Sequence, residues 1–288
     1  MEQPHHRLLT SSLINNTPVN IVSFNCNSIR PRLHQLKAII DRYQPDIIGL
    51  QETKVVDESF PITEIAELGY KAEFYGQKTH YGVAILYKNL SLVTVEKGFP
   101  GDKADSQRRF IATQFESPFG DMLHVLNGYF PQGESRDHPV KFPNKQAFYR
   151  DLLARLKQNY STDQQVIVLG DMNVAPEDQD IGIGEDNHKR WLKTGQASFL
   201  PEERQWLQQL FDWGLHDTYR KHFPNAPEKF SWFDYRTRGF ELEPKRGIRI
   251  DFILATHALL DRCSGAGIDY DIRAMDKPSD HCPVWAKF

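Results

Sequence analysis

Two short polar clusters carry the chemistry of this chain: Gly170-Asp171-Met172-Asn173, directly after the apolar run 166–169, and Ser279-Asp280-His281, directly before the run 282–285. A core strand gains nothing from ending in an acid, an amide or an imidazole unless that edge of the sheet is a working surface. Side chains two apart on an extended segment point the same way, so Asp171 and Asn173 can face one site. There Asp171 can take a proton from water as general base, and the Asn173 amide can hold that carboxylate or a phosphate. An Asx turn after a buried strand has the same spelling, so this cluster alone is weak. His281 can donate to a phosphoryl oxygen, and such an imidazole needs an acid to fix its tautomer and stabilise its charge. Asp251 is better placed for that than the adjacent Asp280, which is then free to help bind a metal. Ser279, after Pro278, reads as turn geometry with a phosphate contact open to it.

Glu52 in Gly49-Leu50-Gln51-Glu52-Thr53-Lys54 also follows an apolar run directly. Its carboxylate and the amide oxygen of Asn25 make a hard oxygen site suited to Mg²⁺ or Mn²⁺. A solvated strand-end Glu and a turn-forming Asn are the blander alternative, which the other acids nearby weigh against. Asn27, two residues past Asn25, is within reach of the same pocket. Tyr129 ends its strand where a phenol can reach a scissile phosphate. Arg108 and Arg109 can grip flanking phosphates through bidentate contacts. Ser231-Trp232-Phe233-Asp234-Tyr235-Arg236 mixes aromatics with a cation, as a base or sugar platform does, although aromatics are more often core.

These residues must be positioned by strands. Alternating or continuous apolar runs predict strands over 19–25, 46–51, 82–87, 110–115, 123–129, 165–169, 248–254 and 282–288. Several are apolar on consecutive residues, as strands buried on both faces are. Leu33, Leu36, Ile40 and Tyr43 recur at helical spacing before Pro45, and Phe148, Leu152, Leu156 and Tyr160 repeat every four residues. Pro201 opens a third helix and Gly214 suits its C-terminal cap. Strands interleaved with helices predict packed sheets with helices outside. Asn25, Glu52, Tyr129, Asp171 and Asn173 lie at or just past strand C-termini, while Asp251 and Asp280-His281 lie near strand beginnings. All gather at one edge if the last two strands run antiparallel to the others.

At 288 residues, with 40% hydrophobic residues, the chain is long enough for one large α/β domain over 19–288. Residues 1–18 lack a signal-type apolar core and read as a poorly ordered extension. No apolar run approaches the roughly 20 residues of a membrane helix. Three cysteines without CxxC spacing argue against a disulfide framework or a zinc site and fit a reducing cytoplasm. A net charge of −3 argues against a general nucleic-acid coat protein, but not against a DNA enzyme with carboxylates at a metal and cations along one face.

Ile21-Val22-Ser23-Phe24-Asn25, Gly49 to Lys54, Gln107-Arg108-Arg109, Asn127-Gly128-Tyr129-Phe130-Pro131, Gly170 to Asn173, Ser231 to Arg236, Arg249-Ile250-Asp251 and Lys277-Pro278-Ser279-Asp280-His281 together resemble the exonuclease III family of AP endonucleases. That family lies within the metal-dependent endonuclease/exonuclease/phosphatase superfamily. The resemblance leaves out only residues 1–18. It implies a DNase I-like four-layer α/β sandwich, with two packed mixed β-sheets flanked by helices. It also implies Mg²⁺, with Mn²⁺ substituting, on Glu52 and Asn25, and Asp280 contributing to a second or alternative metal position. Asp171 would activate the attacking water with Asn173 beside it, Tyr129 would stabilise the transition state, and Asp251 would pair with His281. Trp232 would line a pocket for an abasic deoxyribose, and some family members carry an acid where this chain has Asn27.

The implied activities are 3′→5′ exonuclease on duplex DNA, incision 5′ to abasic sites and removal of 3′-blocking groups, as in base-excision repair. The implied partner is double-stranded DNA with abasic sites, nicks or 3′ ends, acted on by a monomer. An inositol phosphatase, a sphingomyelinase or a DNase I-like nuclease shares the Glu, Asp-x-Asn and Asp-His core. Gln107-Arg108-Arg109 and the Trp232 segment favour the DNA-repair branch. A DNA-binding module without catalysis would have no use for the full set of polar residues.

Overall fold

The computed structural model describes residues 17–227 and 229–288. The expected N-terminal extension lies outside the described residues except for Thr17 and Pro18, which are exposed and outside regular structure. Among the described residues twelve strands follow in chain order: β1 (Asn20–Asn25), β2 (Ile47–Gln51), β3 (Lys71–Tyr75), β4 (Val83–Tyr87), β5 (Leu92–Lys97), β6 (Phe110–Glu116), β7 (Met122–Tyr129), β8 (Gln165–Asp171), β9 (Leu215–Asp217), β10 (Asp251–Thr256), β11 (Gly265–Ile268) and β12 (Val284–Lys287). The helices are α1 (Leu33–Tyr43), α2 (Ile62–Glu67), α3 (Lys141–Asn159), α4 (Glu185–Thr194), α5 (Pro201–Trp213), α6 (Thr218–His222), α7 (His257–Leu260) and α8 (Tyr270–Arg273).

Among the described residues the strands form two six-stranded mixed sheets, ordered β11-β12-β1-β2-β4-β3 and β5-β6-β7-β8-β10-β9. Strands β3, β5, β9 and β11 had no counterpart in the strand pattern of the sequence. Each is a sheet edge. An edge strand has a neighbour on one side only and stays partly wet, so its sequence needs no continuous apolar run. Lys71-Ala-Glu-Phe-Tyr75 and Leu92-Val-Thr-Val-Glu-Lys97 are half-exposed or exposed along their length, whereas β2 and β4 are buried at every residue.

The facing sides of the sheets share one core, with Ile21, Ile47, Val83 and Ile85 against Ile111, Val125, Ile167, Leu169 and Ile253. The alternate residues Val22, Phe24, Ile48 and Leu50 pack under α1 through Leu36, Ile39 and Ile40. On the other side Leu126, Val166 and Val168 pack under α3 and α5 through Phe148, Leu152, Leu207 and Leu210. Helix, sheet, sheet and helix are the four expected layers. Pro201 occupies the first turn of α5, and Gly214 ends that helix at φ +123°, a conformation that favours glycine. No helix among the described residues is long and apolar enough to cross a membrane.

The topology brings the polar strand ends to one edge. β1 pairs parallel with β2, β7 pairs parallel with β8, and β12 and β10 run antiparallel to β1 and β8. Asp171 consequently stands opposite Asp251 on one side and Tyr129 on the other. Gly170, just before Asp171, permits this tight junction: a Cβ there would lie 1.9 Å from the Gly128 carbonyl oxygen. A polar tie also crosses between the sheets. Asn127 of β7 donates to the carbonyls of Leu50 (3.0 Å) and Ala84 (2.8 Å) and accepts from Gln51 Nε2 (2.8 Å).

Candidate active site

Glu52 is the first residue after β2 and adopts φ +51°, and Asn173, two past β8, adopts φ +53°. Left-handed backbone at a non-glycine residue costs energy and persists where the surroundings fix it. Here it turns both chains sharply off the sheets, so that the Glu52 and Asp171 carboxylates and the His281 imidazole converge with ligating atoms within 4.8 Å of one another. A cavity of about 540 Å³ opens over them, walled by Tyr129, Trp232, Trp191, Gln132, Ile250 and Arg236.

Asp171 is held by its surroundings on both oxygens. Asn173 donates its backbone N–H to Oδ1 (3.0 Å), and Asn25 Nδ2 donates to Oδ2 (3.0 Å). The sequence reading left the Asn173 amide to hold that carboxylate or a phosphate; it donates to the Phe130 carbonyl (2.8 Å), and the backbone N–H holds the carboxylate. Asp251 receives the His281 Nδ1 at 2.8 Å and is itself pinned, its N–H donating to Ser231 Oγ (3.0 Å). His281 Nε2 then lies 3.7 Å from Asp171 Oδ2. Asp251, rather than the adjacent Asp280, is thus the partner of His281 Nδ1.

Burial pushes the Asp171 carboxyl up to about 8; the nearby imidazole opposes that shift, and the Asp251 and Glu52 charges reinforce it. Burial pushes His281 down, but the Asp251 and Asp171 carboxylates outweigh it and raise the imidazole to about 10. Burial also holds the Tyr129 phenol well above its ordinary value, and the Glu52 charge adds to this. The phenol therefore stays protonated and donates to Glu52.

Several expected site residues take other roles. Asp280 lies outside the cluster, because its two oxygens accept from Asn27 Nδ2 (2.9 Å) and Trp232 Nε1 (3.0 Å). Ser279 is fully buried. Its hydroxyl donates to the Asn25 carbonyl (2.6 Å) and accepts the His281 N–H (3.2 Å), so it joins β1 to the Asp-His segment and does not face a phosphate. Arg108 is folded inward, donating to the Gly76 carbonyl (2.6 Å) with its guanidinium over the Tyr75 ring. Arg109 packs its guanidinium against both the Tyr81 and the Tyr129 rings. Of the aromatic platform, Trp232 walls the cavity while Phe233 is buried in core. Arg236 is exposed at the cavity rim.

The donor set fits a hard divalent cation through its oxygens: the Glu52 and Asp171 carboxylates offer ligand atoms within 4.8 Å of one another. Lys54 Nζ lies 3.1 Å from Glu52 Oε2 and donates to Asn27 Oδ1 (2.6 Å), so a positive group already suits this position. Asn25 faces the carboxylates with Nδ2, donating to Glu52 Oε1 (2.8 Å), and its Oδ1 accepts the Asn27 N–H (3.1 Å). A ligand role for Asn25 requires its amide to turn over.

Sequence reasoning missed Lys54, Trp191, Gln132 and Lys145. Trp191 stacks on Phe199 at 5.4 Å and reads in sequence as an ordinary helix residue. Lys145, fully buried on α3, donates to the backbone carbonyls of Gln132 (3.1 Å) and Asn173 (2.7 Å) and pairs with buried Glu203 (2.5 Å). Nothing in Pro143-Asn-Lys145-Gln signals such a burial.

Comparison with known proteins agrees with this geometry. The endonuclease/exonuclease/phosphatase family matches residues 22–281. The chain is 54% identical over 270 residues to exodeoxyribonuclease III of Haemophilus influenzae, covering 94% of this chain and 100% of that protein. Among solved structures, a 3′ phosphatase, NExo, from Neisseria bound to product DNA hairpin superposes with a TM-score of 0.83 at 33% identity, covering 94% of this chain and 99% of that one. An AP endonuclease from Archaeoglobus fulgidus gives a TM-score of 0.83 at 32% identity, covering 93% and 98%. With these matches spanning nearly the whole of it, the chain belongs to the endonuclease/exonuclease/phosphatase family.

Proposed function

We propose that this chain is a divalent-metal-dependent DNA phosphodiesterase of the exodeoxyribonuclease III type, acting in base-excision repair. Its activities are 3′→5′ removal of nucleotides from duplex DNA, incision 5′ to abasic sites and removal of 3′-blocking groups. The observation that carries this reading is the convergence of Glu52, Asp171 and His281 from both sheets under one cavity, beside the Tyr129 phenol and walled by Trp232. The names of the similar proteins, an exodeoxyribonuclease III, a 3′ phosphatase with product DNA and an AP endonuclease, support the same substrate class.

Mg²⁺, with Mn²⁺ substituting, on Glu52 and, with its amide turned, Asn25 would supply charge neutralisation and polarisation of the phosphoryl group. The residues divide the remaining work. Asp171, held by the Asn173 N–H and, in the free site, by Asn25, takes the proton of the attacking water in its ionised form, which a cation bound beside it would favour. His281, charged at neutral pH and fixed through Nδ1 by Asp251, presents Nε2–H to a phosphoryl oxygen as negative charge develops there. The Tyr129 phenol, whose one proton goes to Glu52 in the free site, can turn it to the phosphoryl group as a second donor. The second N–H of the Asn173 amide can meet a phosphate oxygen, and Arg236 at the rim can meet a flanking phosphate. Trp232, anchored by Asp280, forms a flat wall against which a deoxyribose can rest.

The working unit is residues 19–288, acting as a monomer on duplexes with abasic sites, nicks or 3′ ends. Three free, buried cysteines fit a cytoplasmic location. The test compares an abasic duplex, an intact recessed duplex, a phosphoinositide and sphingomyelin, each with Mg²⁺ and with EDTA. Cleavage of both DNAs to 3′-hydroxyl ends, abolished by EDTA, is expected. Turnover of either lipid with DNA left intact would overturn the reading.

A further inference from the structure

Arg109 packs against the Tyr129 ring, a wall of the site cavity, rather than into the cavity itself. Its guanidinium carbon lies 4.3 Å from the Tyr81 ring centroid and 4.5 Å from that of Tyr129, and the two rings are 6.5 Å apart. Nε donates to Gln107 Oε1 (2.6 Å) and Nη1 donates to the Tyr129 carbonyl (3.1 Å). The backbone closes the same unit, with the Tyr129 N–H donating to the Arg109 carbonyl (2.8 Å). With the centroids that close, the two tilted rings form a corner; the guanidinium sits in it against both, with part of its donor edge committed.

We infer that Arg109 is a positioning residue: clamped by Tyr81 and Gln107, it fixes the ring of Tyr129 so that the phenol points at Glu52 and the reacting phosphate. The inference rests on the phosphodiesterase reading above and names a further residue for that reaction. Tyr129 is the last residue of β7, where the ladder ends and a ring would otherwise be free to swing. Its phenol reaches Glu52 across the gap between the sheets, so a small rotation at the ring removes it from the site. Tyr81 itself is held at φ +62° beside Gly82, whose N–H donates to the Arg108 carbonyl (2.9 Å). The outer ring is therefore set where the segment entering β4 is tied to the segment entering β6, across the two sheets.

The experiment is a double-mutant cycle between Arg109→Lys and Tyr129→Phe, with Tyr81→Leu as an independent way to open the clamp. It is read as kcat, KM and the salt dependence of binding on a duplex, and as kcat on bis(4-nitrophenyl) phosphate. Lysine keeps the charge but cannot stack as a plane, so a positioning role predicts that Arg109→Lys lowers kcat roughly 10- to 100-fold on both substrates. KM and the salt slope stay at wild-type values, and Arg109→Lys adds little once Tyr129 is Phe. Tyr81→Leu lowers kcat in the same non-additive way. A raised KM with unchanged kcat and a salt slope reduced by about one would overturn the inference in favour of a phosphate contact. Additive losses would overturn it too. Turnover of the small diester with the duplex untouched would overturn the DNA reading alone, leaving the cycle readable on the diester.

Discussion

Asp171 and His281 form a buried pair that keeps its protons longer in the folded protein than in the unfolded chain. His281 rises from 6.5 to about 10, with Asp251 and Asp171 outweighing the downward push of burial. A raised imidazole contributes stability that is fully present below about 6.5 and lost as pH rises through about 10. Asp171, raised mainly by burial from 3.8 to about 8, acts in the same direction over its own lower window. In EDTA the urea midpoint is therefore expected to fall between pH 6.5 and pH 10, the window that His281 sets. His281→Gln should unfold more easily at the acidic end and decline less steeply toward the alkaline end. A midpoint that rises with pH in the wild type would contradict this. At this scale the sequence was legible in residue type but not in direction. Glu52, Asp171 and the Asp251–His281 pair were readable because an acid or imidazole at the end of an apolar run has few structural reasons to be there. The partners of Ser279, Arg108 and the Asn173 amide were not legible, because spacing does not say which way a side chain points. Each of these side chains satisfies a buried backbone carbonyl, a demand that exists only in the folded protein.

The elements that hold these residues are tied by groups away from the reaction. Lys145 on α3 links the segment after β7 to the segment after β8 through the Gln132 and Asn173 carbonyls, and its charge is balanced by Glu203 in the first turn of α5. Burial lowers the lysine and raises the glutamate, each pulled back by the other. Removing one partner of a buried pair leaves the other charge uncompensated, a loss of about 3–5 kcal/mol. Lys145→Met should lower the unfolding free energy by that amount in urea titrations and lower kcat by loosening Asn173. A change under about 0.5 kcal/mol, the usual range for a surface substitution, would show that the pair contributes nothing. The core strands and three main helices were legible because burial on both faces, or on one helical face, writes itself into apolar spacing. The four edge strands were not, since half-wet strands such as Leu92–Lys97 carry no such pattern.

Across the whole molecule, the site exists only because two sheets are held in a fixed relation. Asn25 and Glu52 come from one sheet and Tyr129, Asp171 and Asp251 from the other; Asn25 Nδ2 spans the gap to Asp171. Two residues before Tyr129 and one before Glu52, Asn127 and Gln51 bond to each other across the same gap. The sequence showed polar residues collecting at strand ends and the need for antiparallel final strands. It did not show which strands share a sheet, because that depends on contacts between segments more than a hundred residues apart, as Asn25 and Asp171 are. The central claim, that this composite site hydrolyses DNA with Asp171 as base, is tested most directly by single-turnover cleavage of an abasic duplex by Asp171→Asn at saturating Mg²⁺, with binding measured alongside. The account predicts a rate lower by about 10²- to 10⁴-fold, with affinity for the abasic duplex within a few-fold of wild type. Cleavage at a near wild-type rate would contradict it.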